Sequence, residues 1–479
     1  MNGSYRQNRF LVLTPSKVII IITKSRFDPP GGKLKSMRTR LFVFAALGTL
    51  VSVPTLRAQG LETSTVTLSV EHAIAKAIET NLTTHLAQAA STEARGRVLQ
   101  AAASLLPQLT GTLSQERVFK LNLAAEGFTS SPLIPNAVIG PFNVFDARIQ
   151  LVQNLLDLTS IWLTKAASAN VRVARLTEDL VAEQVASAAA LAYIEDLRAI
   201  RDVQDAQANL ELSEKLSTLA HHQHAAGLAT AVDLARADTR VAVDNQNLIQ
   251  VQLTAYQADI RLKRVVGLPL PTNITLAETE DAVPKEGPEE ASALAQAQSD
   301  RFELRITQEQ LKAETYALDA AKAGFFPTLA ARADYGFSGN TPDSTARTGS
   351  IGGSLDLPIL SGGLTRGQIK EAQGRQSAAQ SQYDDTRIQV EEDVRLALHA
   401  LSAEVDEVKA ADTKVQLAER ELQLSQNRYS AGLGDNVEVV TAQASLADAR
   451  KSRVDARARY ADARANLAIA LGHMRTFSL

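Results

Sequence analysis

The chain has no cysteine among its 479 residues. This absence excludes disulfides, thiolate nucleophiles, zinc–thiolate sites and a lipidated N-terminal cysteine. Aromatic residues make up only 5% of the sequence, and alanine is abundant. Such a composition provides little material for several compact cores and favours long helices. The net charge of −3 provides no basic surface for nucleic acid.

Long apolar runs are also missing after the N-terminal region. Two arginines precede the apolar stretch 41–53, and Ala58 is a small residue at a plausible cleavage point. This pattern predicts a signal peptide over 37–58, with the alternative that 41–53 is a short anchor. Residues 1–36 fit no signal pattern, and we interpret them as an extension from a start codon assigned too early. The mature chain has no apolar run of the roughly 18 residues that a transmembrane helix needs.

The sequence repeats itself at a spacing of about 205 residues. Gly227 and Gly432 occupy matching Ala-Gly-Leu stretches 205 positions apart, and Gly267 and Gly472 are separated by the same interval. We therefore predict two copies of one unit, each with a helix, a strand-bearing segment, a long helix, a break and a helix. The predicted bounds are 59–270 for the first repeat, 271–290 for a linker and 291–479 for the second repeat.

Long segments without proline predict long helices in both repeats. One runs from about Leu364 to Tyr429 and the other from about Ser160 to Ala220. A seven-residue apolar repeat in the second-repeat segment predicts a left-handed coiled coil. Its members are Val394, Leu401, Val408, Val415, Leu422 and Tyr429. The other seam position of each repeat is assigned to Ala397, Glu404, Ala411, Ala418 and Ser425.

Segments between the helices alternate apolar and polar residues with a period of two. Three alternate clearly, around 144–153, 329–337 and 350–358, and the segment after Pro107 alternates more weakly. The pattern predicts membrane β-barrel strands, although a half-buried soluble sheet has the same period. Because four strands cannot close a barrel, other chains must supply the rest, and three chains would give about twelve strands. The side chains predicted to line the barrel lumen are Asp146, Arg148, Arg332, Asp334 and Asp356.

In these motifs and their order the chain resembles the TolC-like outer-membrane efflux proteins over residues 66–475. The motifs that carry the resemblance are SLLPQL and GFFPTL before the strands, LPILSGGLTRGQI after them, and the two Gly-Leu stretches. It implies a mainly α fold with a β-barrel part, in which a homotrimer forms a twelve-stranded barrel in outer-membrane lipid above a coiled-coil periplasmic tube. It further implies the channel of a tripartite efflux or type I secretion system. Such a channel has no cofactor and conducts cargo passively from an inner-membrane pump and a periplasmic adaptor to the exterior.

The resemblance places the Gly-Leu stretches, with Gly227 and Gly432, in helix–helix turns at the closed periplasmic tip. It also implies a gate, with Asp233, Glu438 and Tyr429 in matching positions and Asp435 as a further candidate acid. Two positions depart from the family pattern, since Gly434 replaces an arginine and Thr441 replaces an acid found in some members.

The tip acids have a second interpretation that the sequence leaves open. Thr230–Asp233 and Asp435–Glu438 both have the spacing of a helix capping box, and acids in a first helical turn suit the helix dipole. These acids therefore either cap helices only or cap helices and face the pore.

Two histidines near the first turn, His221 and His224, share a helix face. They are either solvated tip residues or part of a weak metal or proton-sensing site. Phosphate-loop, GxSxG and HExxH motifs are absent from the sequence, so we predict that the protein is not an enzyme. The rival hypothesis is a secreted coiled-coil scaffold or adhesin without a pore, which leaves the amphipathic strands unexplained.

Overall fold

The structure, a computed structural model, describes residues 65–122, 138–277, 284–431 and 433–479. The predicted N-terminal extension (1–36), the predicted signal peptide (37–58) and Gly432 lie outside the described residues.

Each repeat contains the predicted series of helix, two strands, long helix and shorter helix. The helices are α1 (Val70–Thr80), α2 (Leu82–Ala103), α3 (Leu158–Ala225), α4 (Ala231–Val266), α5 (Glu290–Asp300), α6 (Phe302–Ala323), α7 (Leu364–Ser430) and α8 (Asn436–Leu471). The strands are β1 (Thr65–Leu68), β2 (Gln108–Val118), β3 (Leu121–Asn122), β4 (Val138–Ile139), β5 (Phe142–Leu156), β6 (Asn273–Leu276), β7 (Thr328–Gly339) and β8 (Thr345–Asp356). The prediction of four long strands and two very long helices is confirmed.

The long helices α3 and α7 have 68 and 67 residues, which corresponds to about 100 Å each. The partner helices α4 and α8 both have 36 residues and end at Gly267 and Gly472. Both glycines adopt left-handed backbone angles, with φ of 76° and 80°, a conformation that glycine reaches without a steric penalty. Within the described part of the chain, no helix has the length and apolar character needed to cross a membrane.

The seven-residue series of α7 is buried at every position from Val394 to Tyr429. It packs mainly against α8, so the predicted coiled-coil seam lies within the chain. The sequence placed Glu404 at the other seam position, and this assignment is wrong. Val405 is buried there instead, and the half-buried Glu404 pairs with Arg459 of α8, with Oε2 and Nε 3.3 Å apart.

The four long strands form one antiparallel sheet in the order β2-β5-β7-β8. The helices that precede or follow these strands pack side by side in the corresponding order α2-α3-α6-α7. Each strand is therefore continued by the helix that has the same place in the side-by-side order. Because α3 and α7 run from the strand ends to the Gly-Leu turns, the turns lie about 100 Å of helix away from the sheet.

A second, smaller sheet and its core pack against the middle of α3. Strands β1 and β6 pair in parallel and join a core in which Tyr193 is fully buried and donates a hydrogen bond to the Leu68 carbonyl at 3.0 Å. The sequence did not predict this pairing, and β6 lies inside the segment interpreted as a linker. Other members of the core are Val70, Ile74, Leu262, Val266 and Met474.

Candidate functional site

The predicted lumen residues share one face of the long sheet. Arg148 forms ion pairs with Asp146 in its own strand and with Asp334 in β7, the latter with Nη1 and Oδ1 3.5 Å apart. Asp334 also accepts a hydrogen bond from Ser350, its partner in β8. The strand register places Arg332 and Asp356 on this same face. The structure thus joins the five side chains into one polar surface, while their position in a barrel lumen stays a prediction.

The opposite face of the sheet is apolar and open. Ile149 lies there between Gly111 of β2 and Tyr335 of β7, and its side chain is 53% exposed. A continuous apolar face of this kind marks a surface that meets a partner or lipid. The large exposed side chains on this face are Leu109, Leu113, Ile149, Leu151, Tyr335, Phe337, Ile351 and Leu355.

At the first tip turn, Gly227 has a φ of 77° and Thr230 begins α4. Thr230 and Asp233 form a complete capping box, because the Asp233 carboxylate accepts from the Thr230 backbone N–H at 3.0 Å and the Asp233 N–H donates to the Thr230 hydroxyl oxygen at 3.3 Å. Hydrogen bonds from the Thr230 side chain and backbone lower the pKa of Asp233. The predicted cap is confirmed.

At the second tip turn, Asp435 caps α8 by accepting a hydrogen bond from the Val437 backbone N–H at 3.1 Å. The reciprocal half of the predicted box is wrong, because the Glu438 carboxylate does not accept a hydrogen bond from the Asp435 backbone N–H. Its carboxylate instead pairs with Arg428 in the last turn of α7, with Nε and Oε2 3.3 Å apart. Sequence analysis missed Arg428 because the pair spans a turn whose geometry the sequence does not define.

One hydrogen bond joins the two tip turns. Asn436, only 4% exposed, donates its side-chain amide to the Asp233 carbonyl at 2.7 Å. Tyr429 is buried beside them, and its hydroxyl has no hydrogen-bond partner in the described part of the chain. Burial raises the pKa of Tyr429, and the charges of Asp233 and Asp435 raise it further. The structure therefore gathers three predicted gate residues, Asp233, Asp435 and Tyr429, into one cluster.

Comparison with known proteins agrees with this geometry. Residues 293–473 match the model of the Outer membrane efflux protein family. Over 362 residues, or 74% of each chain, the sequence is 24% identical to the pyoverdine export outer membrane protein OpmQ of Pseudomonas aeruginosa. It is 23% identical to the outer membrane protein TolC of Escherichia coli over 327 residues, or 64% of each chain.

The chain is similar to the TolC-like outer-membrane efflux proteins.

Solved structures share the fold of this TolC-like chain. The outer membrane protein VceC of Vibrio cholerae superposes with a TM-score of 0.72 at 22% identity, covering 84% of this chain and 96% of VceC. CusC superposes with a TM-score of 0.73 at 19% identity, covering 88% of this chain and 95% of CusC.

The structure accounts for the glycine at position 434 of this TolC-like chain. A Cβ atom there would lie 3.1 Å from the Arg428 Cβ and 3.2 Å from the Tyr429 backbone nitrogen. These contacts are tighter than ordinary van der Waals packing. A side chain at this position would require the end of α7 to shift by a few tenths of an ångström. The cation that pairs with the tip acid Glu438 is Arg428, six residues earlier.

The two histidines at the tip have separate partners. His221 lies 3.3 Å from an Asp238 carboxylate oxygen, and His224 bonds to the Ala229 carbonyl at 2.9 Å through Nδ1. No three His, Cys, Asp or Glu side chains of the described residues are grouped as a metal ion would require. The geometry therefore gives the weak metal hypothesis no support, and His224 helps to hold the turn.

Proposed function

We propose that three copies of this chain form the outer-membrane channel of a tripartite efflux system, which conducts cargo passively from an inner-membrane pump and a periplasmic adaptor. The observation that carries the proposal is a sheet with one polar and one apolar face, each of whose strands is continued by a helix. The relatives of this chain include a pyoverdine export protein and a solvent efflux pump protein. Since these cargoes differ, the cargo of this chain is left open.

The edges of the sheet support a trimer. Strands β2 and β8 each pair on one side only within the described residues. Unpaired strand edges cannot remain in lipid, because their backbone groups would lack hydrogen-bond partners. Pairing β8 of one copy with β2 of the next satisfies both edges, and three copies give about twelve strands, a normal number for a closed barrel.

The internal repeat supports the same arrangement in the helices. Leu212 and Leu219 of α3 pack against the part of the α7–α8 core that lies nearest the tip turns. Their counterparts 205 positions later, Leu417 and Leu424 of α7, are 64% and 56% exposed. Within one chain, the α7–α8 pair covers Leu212 and Leu219 of α3. If the α3–α4 and α7–α8 pairs alternate around a ring, the α3–α4 pair of the next copy covers Leu417 and Leu424 in the same way.

Leu417→Glu combined with Leu424→Glu is expected to convert the trimer to monomers. Burying a leucine contributes about 1.5–3 kcal/mol, and the double variant replaces two of them with charges in every copy. Light scattering coupled to size exclusion in detergent measures the mass. Gln423→Glu, an exposed neighbour on α7, is the matched control and should remain trimeric. A double variant as trimeric as the control would remove this stripe from the interface.

The tip cluster is proposed as the gate and the polar sheet face as the barrel lumen. Asp233, Asp435 and Glu438 of three copies would surround one axis, and like charges that close attract cations. Arg148 and the acids around it would keep the lumen wet. Both proposals depend on the trimer.

Membrane extraction separates a channel from the rival scaffold. The protein is expected to stay in the outer-membrane fraction at high salt, to dissolve only in detergent and to produce ion conductance in planar bilayers. A scaffold lies on membranes without spanning them, so it would wash off at high salt and produce no conductance.

A further inference from the structure

The two repeats differ sharply at one buried position. Leu401 belongs to the buried seven-residue series of α7, and the equivalent residue of α3, 205 positions earlier, is Asp196. Both side chains are 3% exposed. The first repeat therefore places a carboxyl group where the second repeat places a leucine.

The neighbours of this position differ in the same way. Lys263 of α4, 6% exposed, corresponds to Ala468 of α8. Its ammonium group contacts the Asp259 carboxylate at 2.6 Å. Helices α3 and α4 pack together, and the charges of Asp259 and Lys263 act on the buried Asp196 across this packing, beside Leu262 and Tyr193.

If Asp196, Asp259 and Lys263 served only to pack α4 on α3, apolar side chains would serve better. Removing an ion from water costs free energy, and apolar residues of similar size are often more stabilising than a buried ion pair. The second repeat shows that the same helix pair can be built with Leu401 and Ala468 at these positions. Two acids around a single lysine also leave one negative charge unbalanced, unless a proton is taken up.

We propose that Asp196, Asp259 and Lys263 form a proton-responsive contact that sets how tightly α4 packs on α3 beside the β1–β6 sheet. The inference concerns the packing of one helix pair and does not depend on the trimer or on conduction.

Charged groups on the other neighbouring elements are engaged elsewhere. On α3 itself, Arg198 turns to α8 and pairs with Asp455 at 2.7 Å. The α8 carboxyl group of Asp462 interacts with Glu195 and Arg198. On α1, Lys76 and Glu79 pair with each other at 2.9 Å. The charges that act on Asp196 are therefore those of Asp259 and Lys263.

The direction of the pH effect follows from the pKa of Asp196. Burial raises this pKa from 3.8 to about 7, the charge of Asp259 raises it too, and Lys263 opposes the change. If α4 separates from α3, water reaches the carboxyl group and its pKa returns towards the ordinary value. The packed form then keeps a proton that the open form releases, so packing is strongest in acid and weakens as pH rises towards 7.

Amide hydrogen exchange of the full-length protein in detergent tests the proposal. After correction for intrinsic exchange rates, amides of residues 255–266 should be about tenfold better protected at pH 6 than at pH 8, the ratio given by a packed-state pKa near 7. Asp196→Asn imitates the protonated acid and should remove this difference by raising protection at pH 8. The double variant Asp196→Leu, Lys263→Ala copies the second repeat and should also remove it.

Asp462→Asn is the matched control. Burial raises the pKa of Asp462 to about 6, but this residue lies on α8, so the tenfold difference in α4 should survive its substitution. The proposal is overturned if the wild-type protein shows no difference, if Asp196→Asn retains it, or if Asp462→Asn abolishes it.

Discussion

Ile149→Arg is expected to abolish the folded assembly in the outer membrane. The side chain is exposed on the apolar face of β5, one strand in from an edge, and lies at the middle of this 15-residue strand. An arginine on the lipid face near mid-bilayer costs about 2–4 kcal/mol. The substitution occurs three times in a trimer, so the total cost approaches the roughly 5–15 kcal/mol by which folded proteins are stable.

The neighbouring substitution Gln150→Arg is the matched control. It introduces the same side chain into the same strand, but on the polar face, where the register places position 150 between Thr110 and Asp334. A cation there is hydrated and close to an acid, so folded trimer should persist. The yield of detergent-extracted trimer, compared for the two variants, measures the difference. Equal losses would contradict a lipid-facing role for the Ile149 side.

The long elements of this fold could be predicted because their signals extend over many residues. The buried series in α7 repeats six times from Val394 to Tyr429, and a single polar residue does not disrupt such a pattern. Glu404 shows the limit. Either of two adjacent residues can fill one position of a coiled-coil seam. Here Val405, and not Glu404, is the buried one.

The parallel β1–β6 pair could not be predicted, because each strand has only four residues. A strand of this length is hardly distinguishable from a linker by periodicity. The pairing also joins residues more than 200 positions apart, such as Val66 and Ile274. It is stabilised by tertiary packing around Tyr193, which no local pattern reveals.

At the tip, the local part of the site was predictable and the part across the turns was not. The Thr230–Asp233 box depends on neighbours within one helical turn, and the structure contains it. The Arg428–Glu438 pair and the Asn436 bond to Asp233 depend on how two turns are placed in space. From the sequence, Gly434 could only be described as a glycine where some family members have an arginine. In the structure, Gly434 lies so close to Arg428 and Tyr429 that little room is left for a side chain.

Asp233→Asn combined with Glu438→Gln is expected to abolish block of the channel by multivalent cations while the trimer still assembles. Both positions lie at matching places in the two repeats, so a trimer brings two such carboxylates per copy around one axis. Asparagine can still accept the hydrogen bonds that Thr230 donates, and loss of a cap costs only about 1 kcal/mol. The half-blocking cation concentration in planar bilayers should rise by at least about tenfold, which corresponds to about 1.4 kcal/mol. Glu421→Gln, which removes an exposed acid higher on α7, should leave the block unchanged.

Single variants at the tip separate capping from a pore-facing role. The Asp233 side chain is 16% exposed and is held by Thr230, whereas the Glu438 side chain is 46% exposed and has Arg428 as its partner. Glu438→Gln should therefore cause most of the loss of block. Arg428→Gln should act in the opposite direction, because it frees the Glu438 carboxylate and lowers the cation concentration needed. If neither the double variant nor Arg428→Gln shifts the block, Asp233 and Glu438 only shape the helix ends, and Asp435 is the remaining candidate for the gate.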